Sequence, residues 1–185
     1  MSMPDPARLL LLMALLPALP SQAAGLPAQG SPQLGTRVDP GLAQRWEISV
    51  FPDGTGLPPG RGDVATGEEL YRRRCLSCHG PNGEGATADE LAGGEHGLTG
   101  IPPDKTIGTY WPYATTLFDF IRRAMPMDAP WSLSADEVYA LCAYLLHLNG
   151  ILPADAVLDQ ESLPGVEMPN RHGFISWWPH PPSGD

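Results

Sequence analysis

Apolar residues recur at helical spacing in three stretches of this chain and are irregular elsewhere. Val64, Gly67, Leu70, Tyr71 and Arg74 follow Asp63 at that spacing, with Glu68 and Glu69 near the start and Arg72, Arg73 and Arg74 near the end. This charge order suits a helix dipole, and the pattern predicts a helix from about Asp63 to Cys75. Leu117, Phe118, Ile121 and Ala124 predict a shorter helix, capped by Thr115 or Thr116 and broken at Pro126. Ser134-Ala135-Asp136-Glu137 has the form of a capping box. Val138, Leu141, Cys142, Leu145 and Leu148 then make one apolar stripe, which Asn149-Gly150 ends.

The intervening segments read differently. Asp39-Pro40 looks like an N-cap followed by Pro at the first helical position, opening a turn of helix towards Trp46. Glu47 to Phe51 alternates as a short strand would, and Pro52 to Gly56 stops it as a turn. Gly80 to Gly108 is glycine-rich and predicts loop. Beyond Gly150 the prolines at 153, 164, 169, 179, 181 and 182 predict an extended segment draped over the body. No alternating run is long enough for a sheet core. The expected class is all-α, with three to four short helices in long loops.

Arg8, the apolar stretch Leu9 to Leu19, and Ser21-Gln22-Ala23 have the order of an export signal cleaved after Ala23. That stretch is too short to span a bilayer stably, so no membrane insertion is expected after cleavage. Residues 24–37 are rich in Gly, Pro, Gln and Ser and read as a flexible leader. The expected division is therefore 1–23 signal peptide, 24–62 N-terminal extension, 63–150 main domain and 151–185 Pro-rich C-terminal extension. Composition narrows the function. Of 185 residues, Lys and Arg contribute 11 against 21 Asp and Glu, a net charge of -10. Such a chain is a poor match for a phosphate backbone, which argues against nucleic acid as a partner. Gly 21 and Pro 22 make it loop-rich, and Cys 3 is too few for a disulfide scaffold.

The chemistry sits in Cys75-Leu76-Ser77-Cys78-His79, a C-x-x-C-H sequence at a helix end in an exported chain, the c-type haem attachment pattern. Two thiols three positions apart can each add to one vinyl group of a porphyrin, and His79 then presents its imidazole to the iron. The bound ring gives a loop-rich chain a core to fold around. A redox disulfide belongs in βαβ folds, which are not visible here, and a zinc site needs a second ligand pair. The sixth-ligand candidates are Met125, Met127 and Met168, with His96, His147, His172 and His180 as rivals. Met125-Pro126 is favoured because Pro126 stiffens the backbone beside the sulfur. Cys142 lies on the apolar stripe and reads as an inert buried thiol. Tyr110, Trp111 and Tyr113 read as haem packing, and Arg72, Arg73, Arg74, Arg122 and Arg123 as a solvated face or a rim near propionates or a partner.

In this order the elements resemble class I c-type cytochromes over residues 63–149. That resemblance implies two crossed terminal helices, with small Gly67 allowing close approach near Tyr144. Asp53-Gly-Thr-Gly-Leu-Pro-Pro-Gly60, Gly108-Thr-Tyr-Trp-Pro-Tyr-Ala114, Phe120-Ile-Arg-Arg-Ala-Met-Pro126 and Met168-Pro-Asn-Arg-His-Gly-Phe174 are similar to the cytochrome subunit of sulfane dehydrogenase, SoxD. The likeness implies one covalent haem c, with His79 and Met125 as iron ligands. It also implies a periplasmic place in thiosulfate oxidation, accepting electrons from a molybdenum-containing dehydrogenase subunit (SoxC-like) and passing them to another cytochrome. The alternative is a haem enzyme acting directly on thiosulfate or peroxide. Family members carry a second haem domain, whereas this chain has one C-x-x-C-H. Class I cytochromes often orient the histidine through a proline carbonyl, and no Pro lies between Asn82 and Ile101.

Overall fold

The computed structural model describes residues 35–94 and 96–175. The expected signal peptide, most of the expected leader, His180 and the last three prolines lie outside the described residues. The chain divides into two units, 1–43 and 44–185. Helix α1, Pro40–Trp46, starts as expected. Asp39 precedes it and its carboxylate accepts the Leu42 N–H at 3.0 Å.

In the second unit the expected 47–51 strand does not form. The segment has no partner strand, and its donors go elsewhere. Ser49 N–H bonds the Glu47 carboxylate at 2.9 Å, and Val50 N–H bonds Asp119 at 3.2 Å. Phe51 N–H closes onto the Thr55 carbonyl at 2.9 Å, making the expected turn. Strand β1, Arg61–Asp63, instead pairs antiparallel with β2, Val157–Asp159, in the register Arg61 to Asp159. Three residues are too few to leave an alternating signature, so this ribbon was not readable from pattern.

Helix α2, Val64–Arg74, begins at Asp63, whose carboxylate accepts the Thr66 N–H at 2.7 Å. A single turn, α3, covers Leu76–His79. The Gly80 to Gly108 loop contains a turn of 3-10 helix at Gly97–Thr99 and runs into α4, Ile107–Tyr110. Helix α5 is Ala114–Ala124, and here the capping expectation fails. Trp111 is extended ahead of Pro112, Tyr113 is the N-cap without a side-chain bond, and Thr115 lies inside the first turn with its side chain turned into the core. Helix α6, Ala135–Leu148, has the expected capping box: Ser134 Oγ accepts the Glu137 N–H, and Glu137 accepts the Ser134 N–H at 2.8 Å.

The core is built on α6, whose residues from Val138 to Leu146 are all buried. Helix α2 crosses it at Gly67, where a Cβ would run into the Ala140 carbonyl. The missing side chain lets the two backbones touch, and Tyr71 and Tyr144 close the crossing with ring centroids 5.2 Å apart. Phe118 of α5 packs on Tyr139 of α6 at 4.6 Å. The described part of the C-terminal segment, up to residue 175, packs on the body and supplies core. Leu158, Leu163, Val166 and Met168 are buried in the same cluster as α6. Each such side chain withdrawn from water contributes about 1.5–3 kcal/mol before ordering costs.

Candidate haem site

The attachment sequence occupies the corner where α2 ends. Cys75 closes α2 by donating its N–H to Tyr71 O at 2.8 Å, and it also opens α3. Its carbonyl accepts from Cys78 N at 3.1 Å and from His79 N at 3.0 Å. One turn therefore holds both sulfurs and the imidazole, with Gly80 leaving it at φ 79. Tyr71 fixes the corner from below, its hydroxyl donating to Gly80 O at 2.7 Å. Burial pushes that phenol up to about 12, so it stays a donor.

The loop folds back onto the motif. Gly85 N–H bonds the His79 carbonyl and Ala88 N–H the Cys78 carbonyl, each at 2.9 Å. These two bonds bring the Asp89 carbonyl to 2.8 Å from His79 Nδ1. A carbonyl only accepts, so the proton sits on Nδ1 and the Nε2 lone pair is left for a metal. The Asp89 main chain thus takes the place of the absent proline carbonyl. No sequence signal marks it, because every residue carries that group.

The donor set fits a haem. Cys75 and Cys78 are free thiols, the first half-buried and the second exposed. Burial is the main cause that pushes the Cys75 thiol up to about 11, partly opposed by Arg74. Such a thiol is a weak nucleophile for disulfide exchange, unlike the acidic cysteine of redox pairs. Among the described residues no group of three His, Cys, Asp or Glu side chains is placed to hold a metal ion, as a zinc site would require.

The three methionines occupy different environments. Met125 caps the end of α5, donates its N–H to Ile121 O at 3.0 Å and is half-buried against the core. Cys75, Leu76, Trp111 and Leu133 pack against that core too. Met127 is 81% exposed, and Met168 is 1% exposed inside the core. Arg74 joins the attachment corner to the methionine loop through a 2.8 Å bond from Nη2 to Ser132 Oγ.

The three histidine rivals among the described residues make other contacts. His147 Nδ1 bonds Leu152 O at 2.9 Å, His96 faces Asp104 at 3.5 Å and His172 faces Glu167 at 3.8 Å. Cys142 is fully buried, and burial pushes its thiol far up, as expected of an inert core cysteine. Of Arg72, Arg73, Arg74, Arg122 and Arg123, three are paired with carboxylates. Arg72 meets Glu68 at 2.6 Å, Arg73 meets Glu69 at 3.7 Å, and Arg123 chelates Asp119 through two bonds of 3.0 and 2.8 Å.

The aromatic loop is gripped by the C-terminal segment. Asn170 donates to Tyr110 O at 2.7 Å, Arg171 stacks over Tyr113 at 4.5 Å, and Phe174 meets Tyr110 edge-on at 5.4 Å. Trp111 meets Phe120 at 5.7 Å. Asn149 does more than stop α6. Its amide accepts from Gly108 N at 3.1 Å and donates to Leu91 O at 3.1 Å, tying the histidine loop to α4.

A helix crossed at a glycine over a second helix, with C-x-x-C-H at its end, defines a small c-type haem protein. The cytochrome c family model matches residues 64–149. A chain of the sulfane dehydrogenase SoxCD from Paracoccus pantotrophus is 45% identical, with a TM-score of 0.72 over 78% of this chain and 71% of that one. The chain belongs to the cytochrome c family, and its haem c is covalent, with Cys75 and Cys78 in the attaching motif.

Two curated relatives are thiosulfate dehydrogenases. That of Psychrobacter arcticus is 30% identical over 116 residues, 58% of this chain and 34% of its own length. That of Allochromatium vinosum is 32% identical over 111 residues, 57% of this chain and 40% of its own. This chain thus spans well under half the length of either. No helix among the described residues is long and apolar enough to cross a membrane.

Proposed function

We propose that this protein is an exported single-haem electron carrier that accepts electrons from a molybdenum-containing sulfur-compound dehydrogenase, sulfane or sulfite, in the periplasm. A second cytochrome is the acceptor. The observation that carries the reading is the 45% identity to a SoxCD chain across most of both chains. Residues 63–150 would form the haem domain, with 24–62 and 151–185 as extensions behind a cleaved 1–23 signal.

Bound haem c supplies reversible one-electron chemistry. Cys75 and Cys78 would hold the ring, and His79 Nε2 and Met125 Sδ would be the iron's protein ligands. The Asp89 carbonyl keeps the His79 ring in one tautomer, with Nε2 left free. Met125 is the favoured methionine because its backbone is pinned at the end of α5 and its side chain is neither sealed in the core nor free in solvent. A thioether ligand closes the iron to small molecules and raises the potential, which suits transfer rather than catalysis.

Two measurements test this. Co-purification from the native periplasm should bring iron and molybdenum in one fraction, and molybdenum-free protein at every step would overturn the partner. In the oxidised holoprotein, Met125→Ala should abolish the methionine-to-iron charge-transfer band, while Met127→Ala and Met168→Ala keep it. A second reading rests on the names of the thiosulfate dehydrogenase relatives: a haem enzyme acting on thiosulfate itself. Turnover of thiosulfate by the purified chain alone would favour it.

A further inference from the structure

The loop that follows Met125 carries two large apolar side chains in solvent. Met127 is 81% exposed and Trp131 is 54% exposed. Trp131 is also the one non-glycine among the described residues with a positive φ, at 67. A bulky side chain in that region costs free energy, and the surrounding loop enforces it. Ala129 N–H bonds Pro126 O at 2.9 Å, Ser132 N–H bonds Ala129 O at 3.3 Å, and Arg74 grips Ser132 Oγ. The backbone at Trp131 is therefore constrained from both sides while its side chain is more than half exposed.

The patch also carries charge. Arg72 and Arg73 are compensated by Glu68 and Glu69, but among the described residues Arg74 has only the neutral Ser132 hydroxyl. Asp128 lies exposed on the same loop. Arg74 adjoins Cys75, and the loop starts at Met125. The patch thus adjoins in sequence the residue that would hold the ring, Cys75, and the proposed ligand, Met125.

We infer that Trp131, Met127 and Arg74 form the docking surface for the electron-donating protein, the molybdenum subunit, whose complementary face is an apolar socket flanked by a carboxylate. This rests on the proposed function and adds the surface that serves it. An exposed aromatic side chain on a constrained loop, beside an arginine with no carboxylate partner among the described residues, has the composition of an interface hot spot. It suits a lasting contact with the donor better than a brief one with the acceptor, because fleeting redox encounters use small, wet contacts. The uncompensated guanidinium supplies the charge complementarity and makes the contact salt-sensitive.

The test uses the holoprotein and, as probe, the purified molybdenum subunit of a sulfane dehydrogenase freed of its own cytochrome, with binding measured at low and high salt. Trp131→Gly removes the ring and the strained backbone together. It should leave thermal stability equal or higher, leave reduction by ascorbate unchanged, and weaken binding by about tenfold or more. Arg74→Gln should flatten the salt dependence, and Ile101→Ser, at a fully exposed apolar site outside the patch, should change nothing. Wild-type binding with equal affinity in Trp131→Gly overturns the docking surface and leaves the partner standing. No binding by the wild type overturns the partner, and the surface with it. Intact donor binding with slower transfer to the acceptor cytochrome overturns the choice of occupant.

Discussion

Replacing Gly67 by alanine tests the crossing that sets the haem corner. A Cβ at this position would lie 2.6 Å from the Ala140 carbonyl carbon and 2.7 Å from Tyr144 Cβ. Comfortable carbon contacts are about 3.5–4.0 Å, so α2 and α6 must separate by roughly 1 Å. The obstacle is backbone, which has no rotamer to turn, so the cost lies near the upper end of the ~1–3 kcal/mol typical of overpacked cores. Against it, alanine gains about 1 kcal/mol over glycine in a helix interior.

The expected balance for Gly67→Ala is a loss of about 2 kcal/mol, or roughly 4–8 °C in Tm for a domain of this size. Gly165→Ala is the control, since a Cβ there meets nothing within 4 Å and the backbone needs no positive φ. It should stay within about 0.5 kcal/mol of wild type. The assay is thermal unfolding of the holoprotein followed by far-ultraviolet circular dichroism, with haem yield per chain as a second readout. Helix α2 carries Cys75, so its displacement should lower that yield as well. A Gly67→Ala protein with unchanged or higher Tm would refute the argument that this contact brings the helices together.

Other substitutions test separate terms. Thr115 Oγ1 is buried without a hydrogen-bond partner among the described residues, so Thr115→Val should be neutral or stabilising by about 1 kcal/mol; a clear loss in denaturant titration would mean the hydroxyl has a use. Ser134→Ala removes the side-chain cap of α6 and should cost about 1 kcal/mol in the same titration, with no loss counting against the capping box. Acid stability has a definite sign. Hydrogen bonds from Thr66 hold Asp63, and from Ser162 hold Asp159, below the ordinary carboxylate range. Their contribution is complete above the unfolded value and disappears as pH falls through the lower folded values. Tm should therefore be flat with respect to these two groups above about pH 5 and fall below about pH 4. Asp63→Asn should shallow that acid slope, and an identical slope would remove Asp63 from the account.

Much of this protein is written in short-range pattern. The three main helices follow from stripes and charge order, the α6 capping box from a four-residue motif, and the haem from Cys75, Cys78 and His79. These features are legible because the groups involved lie within a few residues of one another. The role of Gly67 came only through the resemblance to class I cytochromes, since pattern alone does not say which helix it meets. The start of α5 was misread for a similar reason: Thr115 is a good cap by propensity, but burial against the core took its side chain away from the helix end.

The tertiary structure decided what depends on residues far apart in the chain. It brought the Asp89 carbonyl to His79 and tied Arg74 to Ser132. It paired Arg61–Asp63 with Val157–Asp159, and it buried Met168 while leaving Met127 in solvent. Residue type carries little of this information, since a carbonyl is common to every residue and a methionine serves equally as ligand, core filler or surface contact. Which of these it becomes depends on where the folded chain places it relative to water and to the remaining side chains.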